Sequence, residues 1–66
     1  MTPEDVRLEV DRIASIAGDD EIAHIEEDDL HKAVLQSISD KTCSDPVECA
    51  RIALTTSEIE FGRWYR

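Results

Sequence analysis

Apolar residues recur at three- and four-residue intervals along most of this chain. Val6, Val10, Ile13, Ala14 and Ala17 share one face of a helix. Thr2 suits an N-cap, Pro3 the first helical position, and Glu4 with Asp5 the positive end of the helix dipole. The pattern predicts a first helix over residues 3–17, closed by Gly18 as a left-handed cap.

Asp19 and Asp20 cap a second helix. Ile22, Ala23, Leu30, Ala33, Val34, Leu35 and Ile38 form its wide apolar arc, and Ile25 lies off that arc, partly exposed. No Gly or Pro interrupts residues 20–39, so one helix of roughly 30 Å is the simplest expectation. A break near Glu27, with Asp28 capping a shorter helix, is the alternative.

After a polar loop at 40–44, Asp45-Pro46-Val47-Glu48 reads as an N-cap, a first-turn proline and a capping box closed by Glu48. The third helix spans residues 46–54. Val47, Ala50 and Leu54 lie on one side, and Cys49, Ile52 and Ala53 on the other. A helix apolar nearly all round is expected to bury more than one side, in the domain core or in a homodimer contact. A short helical turn over 57–64 follows, with Ser57 and Glu60 as a further capping box and Gly62 weakening it. It carries all three aromatics, Phe61, Trp64 and Tyr65, which read either as anchors of the helical core or as a partner-binding patch. No segment alternates with period two. The expectation is all-α: one compact three-helix domain over residues 1–66 with a short C-terminal helical turn.

Charge narrows the partners. The formal net charge is −9, from 16 Asp and Glu against 7 Lys and Arg. Between Arg12 and Lys32 there is no basic Lys or Arg, yet Asp19, Asp20, Glu21, Glu26, Glu27, Asp28 and Asp29 all occur. Such a surface repels nucleic acid and anionic lipid and attracts basic proteins. Asp19, Asp20 and Glu21 suit a helix start, and Asp28 can pair with Lys32. Glu26, Glu27, Asp28 and Asp29 lie deeper in the helix and are the candidate partner-binding acidic face. No apolar run approaches the ~18 residues of a membrane span, and the first residues lack the regions of a signal peptide. A cytoplasmic protein with reduced Cys43 and Cys49 is expected.

Candidate chemistry is sparse. His24, Asp28 and His31 fall near one stripe of the second helix, with Glu27 between them, and imidazole and carboxylate on adjacent turns can hold a divalent metal. The plainer reading is two surface histidines among solvated acids. His-x6-His and Cys-x5-Cys fit no common zinc finger, so the two thiols read as unrelated. There is no Ser-His-Asp order, Gly-rich phosphate loop or basic stripe, and a chain this short leaves little room for a pocket of roughly 300 Å3 or more. The expectation is a non-enzyme without a cofactor.

An ordered set of residues runs through the chain: Asp20-Glu21-x-Ala23-His24, Glu27-Asp28-x-Leu30, Val34-Leu35, Ile38, Ala50, Ala53-Leu54-Thr55 and Phe61-x-Arg63-Trp64. It resembles small acidic proteins of actinobacterial phages and prophages. Tyr65 stands where that pattern would have a small residue or Cys. The resemblance implies no activity, catalytic residue or cofactor. It implies a phage-encoded accessory protein acting inside a bacterial host.

Three functions follow as expectations. The leading one is an interaction module that binds and modulates a host protein with a basic surface, without contacting nucleic acid or membrane itself. The alternatives are a nucleic-acid mimic that inhibits a DNA- or RNA-binding enzyme, and a metal-binding helical protein using His24, Asp28 and His31. A continuous carboxylate surface favours mimicry, whereas a small acidic patch beside exposed apolar residues favours an ordinary interface.

Overall fold

A computed structural model describes residues 1–62. Trp64 and Tyr65, and the end of the expected 57–64 turn, lie outside the described residues. Three helices form, α1 (Pro3–Ser15), α2 (Asp20–Ser39) and α3 (Pro46–Leu54), followed directly by a 3-10 turn, Thr55–Glu58. Each helix packs on the other two, and α1 also meets the 3-10 turn. Among the described residues there is no strand, so the architecture is an all-α three-helix domain.

Local chemistry fixes each helix start. Thr2 Oγ1 accepts from the Asp5 N–H (3.1 Å), and Asp5 Oδ2 accepts from the Thr2 N–H (2.9 Å), a closed capping box. Asp19 Oδ1 accepts from the Ile22 N–H (3.2 Å) and Asp45 Oδ1 from the Glu48 N–H (3.2 Å). The expected box at α3 does not close. Glu48 forks onto the Arg51 guanidinium instead, and a charge-assisted pair outcompetes a backbone N–H.

One helix end differs from the sequence reading. The first helix stops at Ser15, not Ala17. Ile16 leaves the helical region (φ −110°, ψ 13°) and packs against the core. The Asp19 N–H then bonds to the Ile16 carbonyl (3.0 Å). Gly18 does not adopt a positive φ, so it is not a left-handed cap. The left-handed cap occurs at the end of α2, where Lys41 takes φ 63°. There the Thr42 N–H reaches the Ser37 carbonyl (2.9 Å) and the Lys41 N–H the Ile38 carbonyl (3.1 Å), a Schellman closure built without glycine.

The core is small: Val6 and Ile13 from α1, Ala23, Leu30 and Val34 from α2, and Cys49, Ile52 and Ala53 from α3. Val10, Ile38, Ile59 and Phe61 pack against it half-buried. The buried stripe of α2 is Ala23, Glu27, Leu30, Val34 and Ser37, narrower than the expected arc. Ile22, Ala33 and Leu35 face out, and Ile25 is exposed as expected. α3 buries one side only, that of Cys49, Ile52 and Ala53. The late helical turn occupies Thr55–Glu58 rather than 57–64, because α3 tightens straight into it. Phe61 therefore follows the turn in non-helical chain.

Met1 ties the α2–α3 loop to the bundle. Its amine donates to the Thr42 carbonyl (3.0 Å), and its own carbonyl accepts from the Ser44 N–H (2.9 Å).

Candidate functional site

The four residues expected to form one acidic face do not share a face. Successive helical residues turn by roughly 100°, so Glu26 to Asp29 encircle α2. Glu27 occupies the core stripe between Ala23 and Leu30 and is 5 % exposed. Glu26 is bonded to Arg12 of α1, which also holds Glu9. The Arg12 guanidinium is held above its ordinary pKa, first by Glu26 and then by Glu9. Asp28 pairs with His24, Oδ2 to Nε2 3.2 Å. Asp28 and Asp29 are exposed, as are Asp19, Asp20 and Glu21 at the start of α2. The acidic surface is thus distributed around the first half of α2 rather than laid out as a continuous plane.

The histidines separate. His31 turns to the seam with α3, where its Nε2 lies 3.2 Å from the Ala53 carbonyl and 3.0 Å from Thr56 Oγ1. The buried Thr56 hydroxyl donates to the same carbonyl (3.1 Å). His31 is thus a structural bridge, not a partner of His24 and Asp28. Glu27 replaces it: donor atoms of His24, Glu27 and Asp28 lie within 4.8 Å of one another. Those nitrogen and oxygen donors on one turn suit a divalent cation with water completing the shell. The His24–Asp28 pair explains the same geometry with no cation.

The second half of α2 and the outer side of α3 frame a different feature. Their seam is an open groove of about 230 Å3, lined by His31, Val34, Leu35, Ala50, Ala53 and Leu54. That is below the roughly 300 Å3 at which small-molecule pockets begin, and its lining is apolar. Leu35 and Leu54 stand on its rims at 68 % and 66 % exposure, and Val47, one turn before Ala50 on α3, is 79 % exposed. Within His31–Ser39 and α3 the only acid is Glu48, and Arg51 holds it. Arg51 correspondingly keeps the Glu48 carboxyl below its usual range. A neutral apolar strip thus lies on an otherwise strongly acidic molecule. The sequence separated the Val47–Ala50–Leu54 side of α3 correctly but assigned Leu35 to the interior. Pairing Leu35 with that side needed the α2–α3 packing.

The two cysteines, expected to be unrelated, meet. Both thiols point at the Ser44 carbonyl, Cys43 Sγ at 3.6 Å and Cys49 Sγ at 3.4 Å. Cys49 is fully buried and Cys43 half-buried. Burial pushes the Cys49 thiol up to about 11, and its bond with the neighbouring Cys43 thiol adds to the shift.

Among the described residues no helix is long and apolar enough to cross a membrane. No protein-family model, curated protein or solved structure matches the chain.

Proposed function

We propose that this chain is a non-enzymatic protein-interaction module that works through the α2–α3 groove. The observation that carries the reading is the exposure of Leu35, Val47 and Leu54 on one neutral strip. Exposed apolar side chains gathered in one place, rimmed by polar residues, are a feature of interaction sites. The groove accepts one or two apolar side chains of a partner, which supply the affinity. The surrounding carboxylates supply the long-range field, so the partner surface around those side chains is basic. In line with the resemblance to phage proteins, we place the action in the cytoplasm of a bacterial host, on a host protein whose activity is modulated by the contact.

Nucleic-acid mimicry draws less support. It needs a row of free carboxylates, and Glu26 is bonded to Arg12 while Glu27 is buried. A second copy of this chain is the competing occupant of the groove. The test is capture from bacterial lysate with the native chain and with a Leu35→Gln/Leu54→Gln variant, alongside sedimentation of each chain alone. A host protein retained by the native chain and lost by the variant supports the reading. Identical capture by both chains overturns it, and a concentration-dependent dimer abolished by the variant assigns the groove to self-association.

A further inference from the structure

The Cys43–Cys49 pair is a feature that the interaction reading leaves unused. Cys43 lies within the α2–α3 loop, and Cys49 lies in the first turns of α3. Asp45, between them, takes a left-handed conformation (φ 56°, ψ 67°) and caps α3 through the Glu48 N–H. That reversal folds the chain back, so that both thiols converge on the carbonyl of Ser44 from its two sides in sequence. Met1 braces the same loop at Thr42 and Ser44. A partly exposed thiol brought beside a buried one on the same carbonyl places a second cysteine where it can resolve a disulfide formed at the first.

We propose that Cys43 and Cys49 form a reversible oxidation site that takes a low-molecular-weight disulfide such as glutathione disulfide. Cys43 is the half-buried thiol and reacts first. It loses its proton to solvent, and its thiolate attacks one sulfur of the reagent. The reagent S–S bond breaks, a Cys43 mixed disulfide forms, and one small thiolate leaves and takes up a proton. Cys49 then loses its proton and attacks the Cys43 sulfur. The mixed S–S bond breaks, the Cys43–Cys49 bond forms, and the second small thiol departs. The pair is oxidised by two electrons and the reagent is reduced to two thiols. Transient disulfides of this kind are the ones that occur in reducing compartments. The ring contains Val47, so oxidation stiffens the chain beside the groove, but the proposal does not depend on what the groove binds.

The burial of Cys49 makes it the second thiol to react. Burial raises the Cys49 thiol and keeps it mostly protonated at neutral pH, so its attack on the Cys43 mixed disulfide needs a proton removed and accelerates as pH rises. Reduced full-length chain is incubated with glutathione disulfide at several values between pH 7 and pH 9, quenched with acid, and read by intact mass and free-thiol titration. The expected product is a monomer lighter by two hydrogens, with no free thiol, forming faster at higher pH. Cys49→Ser should stop at the Cys43 mixed disulfide, and Cys43→Ser should leave Cys49 unmodified while folded. Persistence of a mixed disulfide with a free Cys49 at the highest pH, or covalent dimers as the main product, overturns the proposal. So does ring closure that ignores pH.

Discussion

His31 Nε2 stands 3.0 Å from Thr56 Oγ1, joining the middle of α2 to the turn that ends α3. His31 also lines the groove. The bond ties α2 to the turn after α3, and Leu35 of α2 and Leu54 of α3 line the same groove. A residue that read as a possible metal ligand therefore helps to form the apolar groove.

Thr56→Val keeps the volume of a fully buried side chain and removes its hydroxyl. Both the His31 contact and the bond to the Ala53 carbonyl go with it. We expect a loss of about 1–2 kcal/mol in urea unfolding. An unchanged midpoint would mean that the bridge adds nothing.

Two backbone positions should accept stabilising changes. Gly18 has no positive φ, and a Cβ there meets nothing within 4 Å. Gly18→Ala should therefore gain about 0.4–1 kcal/mol by restricting the unfolded chain. Lys41 is left-handed at a Schellman closure, where glycine is the usual residue, so Lys41→Gly should gain about 0.5–1 kcal/mol. Thermal or urea unfolding of each variant reads the sign directly.

Much of this fold was legible in the chain, and the exceptions have physical causes. The bounds of α2 and α3 follow from Asp19, Asp45 and Pro46 and from the absence of Gly and Pro inside α2. The end of α1 was misread because Gly18 is the residue that favours a left-handed cap, whereas packing of Ile16 turned the chain first. Glu27 could have been found, since it falls four residues after Ala23 and three before Leu30 on the buried stripe. The acidic run drew attention to composition where angular position decides exposure. The Arg12–Glu26 pair, the His31–Thr56 bridge and the meeting of the two thiols join residues through turns and helix packing, which local spacing does not encode.

Stability should fall as the solution becomes alkaline. The folded Cys49 thiol titrates near 11 against an ordinary value of 9.0. The unfolded chain thus releases this proton first as pH rises. The contribution is fully present below pH 9 and is lost progressively between pH 9 and about 11. Urea midpoints across that range should decline for the native chain, and Cys49→Ala should flatten the slope.

The exposed carboxylates and the groove should act on different steps of binding. Replacing Asp28 and Asp29 by Lys should slow association with a basic partner at low ionic strength and matter little at high salt. Stopped-flow or surface-binding kinetics separate the two regimes. A loss confined to dissociation would assign those acids to the interface itself.

The most direct measurement is the equilibrium affinity of the captured host protein for the native chain and for Leu54→Gln, with the unfolding of both followed in parallel. Leu54 is largely exposed, so its replacement should leave stability within about 0.5 kcal/mol. We predict an affinity weakened about tenfold or more, arising chiefly from faster dissociation. Equal affinities for the two folded chains would contradict the assignment of the α2–α3 groove as the binding surface.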